Sequence, residues 1–184
     1  TQRFGDKLAL DALDLDVPAG SFFGVVGPNG AGKTTALSMA TGLLRPDHGR
    51  AWIHGVDVWE QPLEAKRRVG VLADGVRTFD PLRAPRAPAP DLLVLDEPFE
   101  AVDPVSAANI RDILHSYVER GGTVIVSSHV MDLVQRMCTH VAVIAAGTLR
   151  AAGTLEEVRD GRDLEDRFVD LVGGRHGSEG LAWL

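Results

Sequence analysis

A glycine-rich stretch near the start of the chain has the residue types and spacing that hold phosphate groups. Residues 27–34, Gly-Pro-Asn-Gly-Ala-Gly-Lys-Thr, satisfy the pattern G-x-x-x-x-G-K-[ST] in full. Glycines let the backbone curl so that N–H groups point at phosphate oxygens, and the dipole of a following helix favours the anion. Lys33 is predicted to contact the β- and γ-phosphates, and Thr34 to offer its hydroxyl to Mg²⁺. A strand pattern precedes the stretch and a helix pattern follows it, which favours this hypothesis over a glycine turn that merely caps a helix.

Two adjacent acidic residues follow the apolar run at 92–95. Such a run is typical of a strand buried on both faces, and ligands of open parallel sheets bind at the carboxyl ends of the strands. Asp96 is therefore a predicted ligand of Mg²⁺, directly or through water, and Glu97 a predicted general base for an attacking water. By itself, Asp-Glu-Pro after a strand is typical of a solvated turn. Its occurrence together with a phosphate loop favours the metal and base roles.

The elements that must position these residues follow an alternating order. Strand-like and helix-like segments alternate along the chain, which predicts an α/β fold with a mostly parallel sheet covered by helices. The predicted strands cover residues 8–17, 21–26, 50–53, 69–72, 92–95, 123–126, 140–145 and 148–151. The predicted helices cover residues 33–44, 62–68, 105–119, 131–137, 155–160 and 164–172. Prolines at 81, 85, 88 and 90 make residues 81–90 a predicted extended linker.

Composition and charge exclude several classes of function. The chain has 26 acidic and 19 basic residues and a formal net charge of −7, whereas nonspecific binding to nucleic acid needs a basic face. Aromatic residues make up 5% of the chain, too few for a platform on which single-stranded bases stack. We therefore expect no nucleic-acid partner. The one cysteine, Cys138, lies in an apolar run and is predicted to be a small buried hydrophobic residue.

These motifs, with the residues around them, resemble the ATPase domain of ABC transporters. Residues 27–35 match the wording that this family favours for its Walker A loop, and residues 93–98, Leu-Val-Leu-Asp-Glu-Pro, resemble its Walker B strand with the catalytic glutamate attached. The similarity extends from about residue 4 to residue 171 and implies a P-loop NTPase fold with an antiparallel N-terminal β subdomain. The nucleotide-binding residues that it implies are Phe4, Asn29, Gly30, Ala31, Gly32, Lys33, Thr34 and Thr35.

Further residues take roles by the same resemblance. His129, after two serines, matches the switch histidine that senses the γ-phosphate, and its position beyond the carboxylate pair favours that role over a surface or capping histidine. Phe4 matches the aromatic position that stacks on adenine, with packing near the chain end as the alternative. Asp74 falls near the glutamine loop, where it is a predicted holder of a metal-bound water or a solvated turn acid. The catalytic set is thus Glu97, His129 and Lys33, and the metal set is Thr34, Asp96 and Asp74.

Residues 101–104, Ala-Val-Asp-Pro, resemble the D-loop, which in the family contacts a partner domain across a dimer interface. Asp103 within them is also placed to cap the helix predicted at 105–119, and it is expected to do one or both.

The chain lacks one part that the resemblance implies. In ABC ATPase domains, a helical subdomain with a Leu-Ser-Gly-Gly-Gln-type signature lies between the strands that match 69–72 and 92–95 and completes the partner's nucleotide site. Here only the loop 73–80 and the proline-rich stretch 81–90 occupy this interval, and no signature occurs in the sequence. Two explanations are open: the segment belongs to the protein but is missing from the printed sequence, or the chain lacks it through deletion. In the second case we expect ATP binding with poor hydrolysis.

The resemblance implies an ATPase subunit that binds Mg-ATP and drives a membrane permease. The expected partners are a transmembrane permease subunit and a second ATP-binding domain, identical or different. There is no secretory h-region and no apolar stretch of membrane length, so we expect a cytoplasmic chain held at the inner face of the membrane by its permease. The expected organisation is one domain, with strands and phosphate loop in 1–80, the proline-rich junction in 81–90, the Walker B to histidine half in 91–160 and a tail in 161–184.

Other functions stay open as alternatives. A nucleotide-binding regulatory module with little turnover is favoured by the missing signature and disfavoured by the presence of Glu97 and His129. A soluble ABC-type ATPase of translation or DNA repair usually has paired domains or long coiled-coil insertions, and the sequence shows neither. A GTPase is disfavoured because no Asn-Lys-x-Asp motif occurs.

Overall fold

The structure is a computed structural model that describes residues 1–72 and 90–173. The strands are β1 (Gln2–Phe4), β2 (Lys7–Leu10), β3 (Phe22–Val26), β4 (Trp52–Ile53), β5 (Val56–Asp57), β6 (Val69–Leu72), β7 (Leu92–Leu95), β8 (Thr123–Ser128), β9 (His140–Ala145) and β10 (Thr148–Thr154). The helices are α1 (Lys33–Ala40), α2 (Pro62–Arg68), α3 (Pro104–Glu119), α4 (Met131–Met137), α5 (Leu155–Arg159) and α6 (Leu164–Val172).

A six-stranded sheet in the order β10-β9-β3-β8-β7-β6 forms the centre of the described chain. β3 pairs in parallel with β8 and β9, and β7 pairs in parallel with β6 and β8. β10 runs antiparallel to β9, as the second strand of the predicted hairpin. The predicted α/β fold with a mostly parallel sheet is confirmed. Because parallel strands end at the same edge of a sheet, the residues that follow β3, β7 and β8 meet there.

Two small antiparallel sheets accompany the central one. β1 pairs with β2, and β4 pairs with β5. They confirm the predicted antiparallel N-terminal β subdomain. Sequence periodicity does not predict β1 or β5 themselves, because segments of three and two residues are too short to show a period.

Apolar side chains cover both faces of the central sheet. On one face, Phe22 and Val26 of β3 pack in the same cluster as residues of α3, α4 and α6. On the other face, Phe23 and Val25 pack in the same cluster as residues of α1. Both phenylalanines are 1% exposed, and burying such a side chain contributes about 1.5–3 kcal/mol. Because both faces are covered, these strands are continuous apolar runs and do not alternate.

The strand predicted for residues 8–17 ends at Leu10, so this prediction is wrong beyond that residue. β1 offers a partner of three residues, and the chain turns at Ala12, whose φ of 44° lies in the left-handed region. The apolar residues after the turn alternate because one side of this loop packs against the α1 side of the core. They are the partly buried residues Leu13, Leu15 and Val17.

The helix predicted for residues 33–44 is also too long, since α1 ends at Ala40. The hydroxyl of Thr41 donates to the Leu37 carbonyl at 2.8 Å, and Gly42 has a φ of 75°, a left-handed conformation that ends a helix. The bounds of α2, β6, β7, α4, β9 and α6 are as predicted, and the remaining predicted elements differ by one to three residues at one end.

Two sequence predictions concern the connection after β6 and the membrane. The extended linker predicted for residues 81–90 lies, apart from Pro90, outside the described residues. Within residues 1–72 and 90–173, the helices are all too short or too polar to cross a bilayer.

Candidate functional site

The phosphate-loop residues form a tight turn between β3 and α1. Gly27 is buried, and a Cβ at this position would lie 2.3 Å from the carbonyl oxygen of Ile144, so glycine alone fits. Gly30 and Gly32 have φ angles of 78° and 106°, which glycine adopts without a steric penalty. The path of the backbone therefore requires glycine at three positions of the pattern.

The N-terminus of α1 opens onto a cleft with a volume of about 540 Å³. Gly32 is the N-cap residue, and no side chain caps the helix there. The first N–H groups of a helix have no partner within it, and together with the helix dipole they attract anions. Every residue predicted to bind the nucleotide phosphates lines this cleft, as do Phe4, Glu97 and His129.

The charged side chains of the cleft form a chain of contacts. Lys33 is 7% exposed, and its Nζ donates to the Gly27 carbonyl oxygen at 2.7 Å and lies 3.4 Å from Glu97 Oε1. Glu97 Oε2 lies 3.1 Å from Nδ1 of His129, whose side chain is 44% exposed. The carboxylate thus lies between the ammonium group and the imidazole. A phosphate bound to Lys33 would compete with Glu97 for the same ammonium group.

The carboxylate pair is held by a buried hydroxyl. Glu97 has a φ of 46°, a left-handed conformation that costs a residue with a Cβ about 1–2 kcal/mol. Its N–H donates to Oγ of Ser127 at 2.9 Å, and the Ser127 hydroxyl donates to Oδ1 of Asp96. The parallel pairing of Leu95 with Val126 brings the next residue of each chain segment side by side. The register of β7 and β8 therefore places the serine against both acids.

Asp96 and Thr34 supply oxygen ligands of the kind that Mg²⁺ prefers. Asp96 is 7% exposed and has one carboxylate oxygen engaged by Ser127, and Thr34 lies in the first turn of α1 at the cleft. In the part of the chain that the structure describes, no group of three or more His, Cys, Asp or Glu is arranged to hold a metal ion. Mg²⁺ is commonly held by one or two carboxylates with waters and substrate phosphates. One hydroxyl, one carboxylate and a phosphate loop fit that donor set.

Known proteins share both sequence and fold with this chain. A family model described as ABC transporter matches residues 10–85. The Nod factor export ATP-binding protein I of Cupriavidus metallidurans is 31% identical over 211 positions, which cover 85% of this chain and 70% of that protein. The chain belongs to the ABC transporter family. The daunorubicin/doxorubicin resistance ATP-binding protein DrrA of Streptomyces peucetius is 31% identical over 205 positions, which cover 82% of this chain and 62% of DrrA.

Solved structures of ABC ATPase subunits have the same fold. An ATP-binding subunit of an ABC transporter superposes with a TM-score of 0.81 at 20% identity, over 92% of this chain and 95% of the other. A dimeric ATP-binding cassette in a post-hydrolysis state, bound to ADP and phosphate, superposes with a TM-score of 0.70 at 17% identity, over 83% of this chain and 94% of the other. The predicted P-loop fold of the ABC ATPase type is confirmed.

The chain spans only part of the length of these two relatives. It spans 62% of the length of DrrA and 70% of the length of the Nod factor export protein.

The remaining predicted residues of this ABC ATPase domain have distinct places. Phe4, at the end of β1, is 51% exposed and lines the cleft. Asp103 caps α3, because its Oδ1 accepts from the N–H groups of Val105 and Ser106 at 3.0 Å each, and the capping prediction is confirmed. Hydrogen bonds from the side chain and the backbone of Ser106 lower the pKa of Asp103. Asp74 lies outside the described residues.

Sequence reasoning missed three polar residues at the candidate site. Lys7 and Glu100 line the cleft, and they reach it through the turn after Phe4 and the turn after Glu97, which apolar periodicity does not indicate. Ser127 was missed as a partner of both acids. The signal that points to it is its place near the end of a buried strand, since a buried hydroxyl needs hydrogen-bond partners.

Cys138 is buried, as predicted, with 6% of its surface exposed. Burial raises the pKa of its thiol to about 12. A thiol that stays protonated is a poor nucleophile and a poor metal ligand, so Cys138 serves the core.

Proposed function

We propose that this chain is the ATP-binding subunit of an ABC transporter and that it binds Mg-ATP and hydrolyses it to drive a separate membrane permease. One observation carries the proposal. Glu97 contacts both Lys33 and His129 in the cleft onto which the uncapped N-terminus of α1 opens. Hydrolysis of a phosphoanhydride needs donors for the phosphate oxygens and a group that acts on water, and the cleft contains both.

Phosphate binding would take place at the phosphate loop and the first turn of α1. The N–H groups there would donate to phosphate oxygens, and Lys33 would exchange its contact with Glu97 for the β- and γ-phosphates. Thr34 and Asp96 would hold Mg²⁺, which neutralises charge on the phosphates when bound. Asp74 is proposed to hold a water of that metal ion.

Glu97 would act on the attacking water. The Glu97 carboxylate lies 3.1 Å from Nδ1 of His129, and this contact would limit its rotation once Lys33 contacts phosphate. In that position it would accept a proton from water as a general base. The imidazole of His129, which is partly exposed at the cleft, would contact an oxygen of the γ-phosphate.

Phe4 would bind the adenine base. Its ring is 51% exposed although it lies at the wall of the cleft. An exposed aromatic ring beside a phosphate site can stack on a planar base and bury apolar surface on both. Binding of the base would thus cover a ring that the chain itself leaves in solvent.

The relatives favour an exporter. One carries daunorubicin/doxorubicin resistance in its name and the other Nod factor export. We infer a single ATP-binding domain that lies at the cytoplasmic face of the membrane through its permease and pairs with a second ATP-binding domain, identical or different. The dimeric cassette with the same fold supports the pairing. The net charge of −7 disfavours nucleic acid as a partner.

A second candidate is a module that binds ATP with little turnover. The observation that favours it is the absence of a signature from the sequence, because a partner's site would then be incomplete. The intact mass of the purified natural protein separates the two explanations for that absence. A mass well above 19.7 kDa would show a segment beyond the printed sequence, whereas a matching mass would favour the module.

Titration of the full chain with a fluorescent ATP analogue and Mg²⁺ tests the proposal first. Lys33→Ala removes a charged donor whose hydrogen bonds are worth about 1.5–3 kcal/mol, so we expect binding to weaken roughly 10- to 100-fold. Lys66→Ala is the matched control, since Lys66 is exposed on α2 and should leave binding unchanged. Equal affinities of the two variants would contradict the proposed phosphate site.

Phosphate release at saturating Mg-ATP tests the base. Glu97→Gln keeps the size of the side chain but cannot accept a proton, so we expect kcat to fall about 100-fold or more while the analogue still binds. Glu119→Gln, at the exposed end of α3, should turn over ATP as the unaltered chain does. Wild-type kcat in Glu97→Gln would refute the role of Glu97, and tight binding without turnover in the unaltered chain would favour the module.

A further inference from the structure

The hydroxyl of Ser127 contacts both acids of the carboxylate pair. Ser127 lies near the end of β8 and is 0% exposed. Its Oγ donates to Oδ1 of Asp96 and accepts the N–H of Glu97 at 2.9 Å. One buried hydroxyl thus donates to the carboxylate of the first acid and accepts the backbone N–H of the second.

Strand pairing, and not local sequence, places the hydroxyl there. β8 lies between β3 and β7 in the central sheet, and Ser127 pairs with Val25 of β3. Its neighbours along β8, Val126 and Ser128, are also buried. A polar side chain so enclosed is unfavourable unless it is hydrogen-bonded, and packing alone would be served by alanine or valine.

We propose that Ser127 is a positioning residue for ATP hydrolysis, an inference that rests on the ATPase function proposed above. By engaging Oδ1 of Asp96, the hydroxyl leaves Oδ2 as the oxygen for Mg²⁺ or a water bound to it. By accepting the N–H of Glu97, it fixes the left-handed backbone from which that carboxylate reaches Lys33 and His129. Ser127 therefore orients the metal ligand and the base together.

Thr123 is the matched control in the same strand. It lies at the opposite end of β8, is 3% exposed, and its hydroxyl accepts the N–H of Gly20 at 2.9 Å. Both residues thus present a buried hydroxyl to a backbone N–H, but Thr123 does so away from the cleft. A general loss of buried hydrogen bonding affects both, whereas a positioning role affects Ser127 alone.

Three substitutions separate the hydroxyl from the volume of the side chain. Ser127→Thr keeps the hydroxyl and adds a methyl group, Ser127→Val has the shape of threonine without the hydroxyl, and Ser127→Ala removes the hydroxyl with the smallest change in volume. Thermal unfolding measures the fold of each variant and of Thr123→Val. The fluorescent ATP analogue is titrated in EDTA and then with increasing Mg²⁺, and phosphate release gives kcat and KM.

We expect Ser127→Ala and Ser127→Val to bind the analogue in EDTA as the unaltered chain does. Loss of a group that orients a metal ligand typically costs 10- to 100-fold in metal affinity or activity. The Mg²⁺ concentration for half of the Mg²⁺-dependent change should therefore rise about 10-fold, and kcat should fall about 10-fold or more with KM unchanged. Ser127→Thr and Thr123→Val should stay close to the unaltered chain in both measurements.

Equal Mg²⁺ responses of the threonine and valine variants would overturn the proposal, as would Ser127→Ala behaving like Thr123→Val. Failure of every variant at this position to fold would also overturn it, because the hydroxyl would then serve the fold and not the site. A wild-type chain that does not bind the analogue at all would refute the ATPase function itself. The two failures are thereby distinguishable.

Discussion

The phosphate loop and the carboxylate loop meet in one cleft, but they hold their backbones by different means. In the phosphate loop, left-handed conformations fall on Gly30 and Gly32, which adopt them without a steric penalty. In the carboxylate loop, they fall on Glu97 and Ala101, with φ angles of 46° and 57°. The first loop is set by its own residue types. The second is held against its local preference by contacts from elsewhere in the fold, such as the hydrogen bond to Ser127.

This difference determines how each loop responds to substitution. In a loop set by its own glycines, substitution of a glycine lowers stability through a steric clash at that residue. A loop held by tertiary contacts loses stability when a distant contact is removed. It gains stability when glycine replaces a residue with a strained backbone conformation. The two loops should therefore respond to changes at their left-handed and close-packed positions with opposite signs.

The largest effect is expected from Gly27→Ala. The added Cβ would lie 2.3 Å from the Ile144 carbonyl oxygen and 3.0 Å from the Cβ of Ala31, so either β9 or the loop must move. We expect a loss of about 1–3 kcal/mol of unfolding free energy and a loss of tight nucleotide binding, measured by urea unfolding and by titration with the fluorescent analogue. Gly30→Ala is the control, because its added Cβ meets nothing within 4 Å and only the left-handed φ is penalised. Intact nucleotide binding in Gly27→Ala would show that the close approach does not set the loop.

A smaller effect of opposite sign is expected from Ala101→Gly. Relief of a left-handed φ raises the free energy of unfolding by about 1–2 kcal/mol. The greater freedom of glycine in the unfolded chain lowers it by about 0.5–1 kcal/mol. We expect a net gain of roughly 0.5 kcal/mol in urea unfolding. Ala107→Gly, within α3, should instead lose about 0.5–1 kcal/mol. If both variants lose stability equally, the carboxylate loop is not strained at Ala101.

The smallest effect concerns the cap that ends the carboxylate loop. Hydrogen bonds from Ser106 hold the pKa of Asp103 below its ordinary value of 3.8. The ionised cap therefore stabilises the fold at pH values above 3.8, and this contribution is lost as the pH falls through the lower folded pKa. Asp103→Asn keeps a good cap without the charge. The drop in unfolding midpoint below about pH 4 should therefore be weaker in this variant than in the unaltered chain.

A pH dependence unchanged in Asp103→Asn would mean that the ionised carboxylate adds nothing to the cap.

The sequence predicts the phosphate loop completely because its constraints are local. The residues that define the sequence pattern, namely its glycines, Lys33 and Thr34, are also the residues predicted to bind phosphate and Mg²⁺. The carboxylate loop is predicted only in part, because Asp96 and Glu97 are visible as residue types while their contact with Ser127 joins positions about thirty residues apart. Such a contact depends on strand register, which no single segment of sequence specifies.

The helices and strands follow the same rule, since local patterns are predictable from sequence and long-range pairing is not. A strand buried on both faces, such as β9, is predicted with its bounds because an apolar run is itself the result of burial. The alternation over residues 8–17 indicates burial of one side correctly but not strand pairing, which depends on the length of β1. Lys7 reaches the cleft through that same pairing, so its place there was not predictable from periodicity.

The strand that carries the phosphate loop has both of its sheet neighbours in the second half of the chain. β3 pairs with β8 and β9, and β6, the other strand of the central sheet before residue 73, lies at the far edge beyond β7. A nascent chain on the ribosome therefore presents β3 as an unpaired apolar segment until Thr123–Ser128 has been made, a state that invites aggregation or chaperone binding. The first half of the chain contains the phosphate loop. The ability to bind ATP would nevertheless arise only late in synthesis, when the strands of the second half pair with β3.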